Sequence, residues 1–116
     1  MSRRIAVIGT GYVGLVTAVG LSDFGHYVVG VDIDNGKIEK LKNGQIPIYE
    51  PGLEEYFKRN FEAGRLKFTT DVADSVKDSG VIFIAVGTPS KNDGDVDLTY
   101  VFNAVETIGK NLKVIK

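Results

Sequence analysis

Residues Arg4 to Asp32 leave few folds open to this chain. The stretch begins with an apolar run, Arg4-Ile5-Ala6-Val7-Ile8, and turns through Gly9-Thr10-Gly11-Tyr12-Val13-Gly14. An apolar helical pattern follows, and then a second strand pattern ends in Val31-Asp32. A buried strand, three glycines at G-x-G-x-x-G spacing, a helix and a strand ending in an acid form a βαβ unit. Each part has a task on one kind of ligand, a dinucleotide. The acid stands close to the ~20 residues downstream at which such units place it.

The first glycine, Gly9, permits the tight turn off the strand. Gly11 carries no Cβ, so backbone can approach a pyrophosphate. Gly14 lets the helix pack closely on the sheet. Amides at the start of that helix then face the diphosphate, and the helix dipole favours its charge. Asp32 is placed to accept the 2′- and 3′-hydroxyls of the adenosine ribose. A carboxylate there repels a 2′-phosphate, which selects NAD over NADP. A competing reading makes Asp32 a strand-end cap for the next turn. Asp34 is a helix N-cap. Lys37 lies one turn into the second helix, where it either reaches the ribose edge or is a solvated lysine. Flavin enzymes use the same fingerprint, so this stretch leaves the cofactor class open.

The remaining sequence alternates strand and helix patterns, which predicts α/β architecture with a parallel sheet. The first helix, Tyr12 to Phe24, is apolar nearly all round and is expected to be buried, stopping at Gly25. A second helix runs from Asp34 to Asn43-Gly44. Pro51 suits the first position of a third helix carrying Leu53, Tyr56, Phe57, Asn60 and Phe61. Leu66–Thr69 is a strand, and a short helix starts near Asp71. Gly80–Val86 is a continuous apolar strand of the kind buried on both faces. The polar loop Gly87–Asp95 leads to a helix capped by Asp97, which is expected to bury Val101, Phe102, Val105 and Ile108. Residues 113–116 resemble the start of a fifth strand. The fold expected is a Rossmann-type doubly wound parallel sheet, truncated after about the fifth strand.

Bulk properties exclude several function classes. A chain of 116 residues, 43% hydrophobic and 25% charged, supports one domain with its own core. The net charge of −1 supplies no basic field for nucleic acid or an anionic membrane. With no cysteine, disulfides and cysteine metal sites are out. No apolar run reaches the ~18 residues of a membrane span, and a strand pattern follows residues 1–4 in place of a signal-peptide core. A cytoplasmic protein is expected.

Three further segments narrow the choice. Ile48-Tyr49-Glu50-Pro51-Gly52-Leu53 follows the second helix, Thr69-Thr70-Asp71 follows the third strand, and Val86-Gly87-Thr88-Pro89 ends the fourth. With the glycine turn, they closely resemble the amino-terminal domain of the UDP-glucose/GDP-mannose dehydrogenase family over about residues 4–116. The resemblance implies NAD-dependent oxidation of a nucleotide-sugar primary alcohol to a carboxylate in two hydride transfers. It implies contacts to NAD from the positions of Tyr12, Val13, Asp32, Lys37 and Thr88. Val86, Gly87, Thr88 and Pro89 would form the wall opposite Asp32, unless they are an ordinary strand-to-loop turn. Glu50 is favoured as part of a helix start, with its carboxylate near helix amides. Lys91–Asp95 is favoured as a solvated loop, and His26 as a cap for the first helix end.

The resemblance also implies what this stretch lacks. The family's cysteine, lysine and asparagine, which carry the second oxidation, lie in a later substrate domain. Residues 1–116 are thus expected to be the NAD-binding front of a larger, homo-oligomeric enzyme, without its central and substrate domains and with no catalytic residue here. Two alternatives stay open: the front domain of a 3-hydroxyacyl-CoA or 6-phosphogluconate-like dehydrogenase, and a module that senses NAD without turnover.

Overall fold

The computed structural model describes residues 3–87 and 98–111. Four strands form one parallel sheet in the order β3-β2-β1-β4, with β1 at Arg4–Ile8, β2 at Tyr27–Val31, β3 at Leu66–Thr69 and β4 at Val81–Ile84. The five helices of the described residues are α1 (Tyr12–Asp23), α2 (Asn35–Lys42), α3 (Leu53–Glu62), α4 (Val72–Asp78) and α5 (Thr99–Asn111). The order matters for function. The chain crosses from β1 to β2 on one side and reaches β4 on the other. The carboxyl ends of β1 and β4 therefore flank a crevice where the winding reverses.

Side-chain alternation along the strands builds two cores. Ile5, Val7, Val28, Leu66 and Phe68 face α1 and α3, where they meet Leu15, Val19, Leu53 and Phe57. Ile8 and Val31 face the other side and meet Val76 and Ala104. Register pairs Gly30 with Phe68 across β2 and β3, and a Cβ on Gly30 would stand 2.7 Å from the Phe68 ring. The missing side chain on β2 is thus filled by the aromatic ring of its neighbour.

Helix ends follow local chemistry. Asp34 accepts from the Lys37 amide at 3.2 Å and Asp71 from the Asp74 amide at 3.0 Å, each satisfying an N-terminal donor. Gly25, Gly44 and Gly64 take positive φ just after α1, α2 and α3.

Four expectations need correction. α1 is not buried all round: Gly14, Leu15, Ala18, Val19 and Ser22 face the sheet, while Tyr12 and Val13 stand on the outer side of the first turn at 52% and 66% exposure. α3 begins at Leu53 and not at Pro51. Gly52 at φ 84 and the Leu53 amide donating to the Glu50 carbonyl make a type II turn, which takes proline and glycine in its middle. β4 covers only Val81–Ile84 and is half-exposed at Phe83 and Ile84, since it is the outermost strand among those described. In α5, Ala104 and Ile108 pack on the second core, and Phe102 and Val105 point away from it. The expected fifth strand at 113–116, the cap Asp97 and most of the loop 87–95 lie outside the described residues.

Candidate functional site: the crevice at the β1 and β4 ends

The glycine turn leaves β1 and enters α1 with three different reasons for glycine. Gly9 has φ 105, and a Cβ there would stand 2.5 Å from the Ala85 carbonyl oxygen. Its amide donates to the Val31 carbonyl at 2.7 Å, tying the turn to β2. A Cβ on Gly14 would lie 1.8 Å from the Gly9 carbonyl oxygen. Gly11 is different: its φ of −69 suits any residue, and a Cβ there would meet nothing within 4 Å. The protein's own packing makes no use of this glycine, and the space beside it is open.

Gly11 is also the N-cap of α1, and no side chain among the described residues caps it. The first turn holds no acidic residue. Its amides and the positive end of the helix dipole are therefore available to an anion.

Asp32 sits just past β2, across from this turn. Its Oδ2 accepts from the Thr10 amide at 2.9 Å and from the Thr10 hydroxyl at 2.8 Å, and Oδ1 accepts from the Asp34 amide at 3.1 Å. Burial pushes the Asp32 carboxyl up, but the Thr10 and Asp34 amides, the Thr10 hydroxyl and the charge of Lys37 outweigh it. The group is held below its ordinary 3.8 and stays ionised at neutral pH. Asp32 is both the acid at the crevice and a brace for the glycine turn. Lys37, placed by the Asp34 cap, brings its charge to the same edge.

The other wall starts where the Ala85 amide donates to the Ile8 carbonyl at 2.7 Å. This brings Val86 and Gly87 beside the glycine turn. Thr88 and Pro89 lie outside the described residues. Gly9, Gly11, Tyr12, Val13, Gly14, Asp32, Lys37, Val86 and Gly87 thus gather at one end of the sheet.

Glu50 departs from expectation. It accepts from the Tyr12 hydroxyl at 2.7 Å across 38 residues, so its carboxylate faces α1 and does not cap α3. That hydrogen bond and the negative charge of Glu50 raise the Tyr12 phenol above its ordinary 10.0. His26 closes the α1 end through its backbone, its amide donating to the Leu21 carbonyl, while its Nδ1 accepts from the Arg3 amide at 3.1 Å. Sequence reasoning passed over Thr10 and Ile33. Thr10 is a polar residue only 1% exposed, and Ile33 is an apolar residue 77% exposed beside Asp32. Neither type carries a site signature, though an isoleucine directly after the strand-end acid breaks the polar character expected of a turn. Among the described residues no group of His, Cys, Asp and Glu is arranged to hold a metal ion, and no helix is long and apolar enough to cross a membrane.

Residues 3–116 match the model of the UDP-glucose/GDP-mannose dehydrogenase family, NAD binding domain. The UDP-glucose 6-dehydrogenase of Rhizobium meliloti (strain 1021) is 55% identical over 111 residues, covering 95% of this chain and 25% of that protein. A GDP-mannose dehydrogenase from Pseudomonas aeruginosa, solved as a ternary complex, superposes with a TM-score of 0.88 at 49% identity, covering 91% of this chain and 24% of its own. A UDP-glucose dehydrogenase from the archaeon Pyrobaculum islandicum gives a TM-score of 0.91 at 43% identity, over 96% and 26%. The chain spans about a quarter of the length of each of these relatives. The match of the family model over nearly the whole chain places it: this chain belongs to the UDP-glucose/GDP-mannose dehydrogenase family, as its NAD-binding domain.

Proposed function

We propose that this chain forms the NAD-holding part of an enzyme that oxidises the C6 primary alcohol of a nucleotide sugar to a carboxylate. Two hydrides leave the sugar carbon for two NAD⁺ molecules, and water supplies the second carboxylate oxygen. Gly9, Gly11, Tyr12, Val13 and Gly14 receive the diphosphate at the α1 N-terminus. Asp32 and Lys37 hold the adenosine ribose, with Ile33 as an apolar surface beside them for the adenine. Val86, Gly87, Thr88 and Pro89 form the opposite wall. The nucleotide sugar, the homo-oligomeric assembly and a cytoplasmic setting belong to the same reading, and their support is the family resemblance.

The observation that carries this reading is Gly11. It is a glycine that the fold does not need, placed at an uncapped helix end and facing an ionised acid. Calorimetric titration of the chain with NAD and NADP tests it. NAD is expected to bind more tightly than NADP, and Asp32→Ala is expected to weaken NAD and narrow the gap. Equal binding of both cofactors by the unchanged chain, or no binding of either, would overturn the reading.

A further inference from the structure

Thr10 stands between Gly9 and Gly11 and is 1% exposed, so it does not itself touch a ligand in the crevice. Both of its polar donors aim at one oxygen of Asp32, the amide at 2.9 Å and the hydroxyl at 2.8 Å. Its methyl group lies 3.4 Å from where a Cβ on Gly30 would stand, so the bare backbone of β2 makes room for it. Together with the Asp34 amide on Oδ1, these bonds fix the rotamer of the carboxylate.

We propose that Thr10 is a positioning residue that sets cofactor choice, acting through Asp32. The inference rests on the NAD-binding reading above. A carboxylate offers about four acceptor positions. Three are filled by the protein, two on Oδ2 and one on Oδ1, so Oδ1 is the less occupied oxygen and the one most open to the ribose hydroxyls. A strand-end aspartate without the Thr10 hydroxyl is held on Oδ2 by one amide alone and can swing aside when a 2′-phosphate arrives. Held by the hydroxyl as well, the charge stays in place, so repulsion of the phosphate persists. Discrimination between NAD and NADP then depends on a buried threonine that meets neither.

The test titrates the 116-residue chain and its Thr10→Val and Thr10→Ser variants with NAD and with NADP. Valine keeps the shape and removes the donor, while serine keeps the donor. A hydrogen bond to a charged group is worth roughly 10- to 100-fold. Thr10→Val is therefore expected to lower the NAD-to-NADP affinity ratio by about 10-fold or more, and Thr10→Ser to stay within about 2-fold of the unchanged chain. Loss of affinity for both cofactors in proportion, with the ratio unchanged, would mark Thr10 as structural only and overturn the inference. If Thr10→Val does not fold, Thr10→Ala is read by the same ratio. Failure of the unchanged chain to bind NAD overturns the NAD-binding reading and this inference with it. An unchanged chain that prefers NAD, with variants that prefer it equally, overturns this inference alone.

Discussion

Gly9, Gly11 and Gly14 share six residues of sequence and meet three different surroundings. At Gly14 an added methyl would stand 1.8 Å from a backbone carbonyl that cannot move without breaking the turn. Gly14→Ala is expected to cost about 3 kcal/mol or more of stability, read from urea unfolding. At Gly11 the same methyl meets open space and an ordinary φ. Gly11→Ala is expected to keep stability within about 1 kcal/mol, or raise it through the unfolded chain, while weakening NAD at least ~10-fold. A Gly11→Ala chain that binds NAD as before would move the diphosphate away from α1. Asp32 adds a pH dependence whose sign follows from its partners. Its carboxyl is held below 3.8, so the folded state favours the ionised form. Its contribution is therefore full above that value and lost as pH falls through the lower folded value. Against Asp32→Asn, the unchanged chain is expected to be more stable at pH 7. The difference should shrink below pH 3.8, as thermal melts across that range would record. A difference that grows on acidification would contradict the brace.

Between elements, one polar junction is not announced by the sequence. Asn60 on α3 is fully buried. Its Nδ2 donates to Asp23 at the end of α1 at 3.0 Å and to the Tyr56 carbonyl at 2.8 Å, and its Oδ1 accepts from Arg65 Nε and Nη2 at 3.0 and 2.9 Å. Asp23 sits at the negative end of the α1 dipole, and Asn60 and Arg59 hold its carboxyl below the usual range despite that placement. Asn60→Leu strands several of these groups and is expected to cost about 3 kcal/mol, while Arg59→Ala, on an exposed pair, should cost far less. Urea midpoints of the two variants check the ranking. The contrast shows what pattern reading could reach. Strand and helix identities, the cap Asp34, the helix start near Asp71 and the stops at Gly25 and Gly44 were legible because each is decided by neighbours within a few residues. The Tyr12–Glu50 bond, the Asn60 junction and the Thr10 brace join positions far apart in the chain, so no local pattern encodes them. The outward face of α5 was misread for the same reason. Val101, Phe102, Val105 and Ile108 are all apolar, and only the place where Ala104 seats on Ile8, Val31 and Val76 decides which of them turn inward.

Across the whole molecule, stability is expected to fall away from β1. This strand is bonded to β2 on one side and β4 on the other, and both its faces are covered, by Leu15 and Val19 of α1 and by the cluster around Val76. α5 joins the body through Ala104 and Ile108 on that second, smaller cluster, with Phe102 at 65% and Val105 at 51% exposure. Opening α5 exposes little apolar surface, whereas opening β1 exposes both cores, and the free energies of local opening should rank accordingly. Amide exchange followed by NMR is expected to be slowest at Ile5–Ile8 and Val28–Val31, and about 100-fold faster along residues 104–110. Saturating NAD should then slow the amides of residues 11–15 and 32–38, which surround the crevice, and leave those around the Asn60 junction unchanged. The first half of this pattern depends only on the fold and the second only on where the cofactor sits. Equal exchange in α5 and β1 would mean that the two cores open as one unit. A response to NAD at residues 59–66 with none at residues 11–15 would place the cofactor away from the glycine turn.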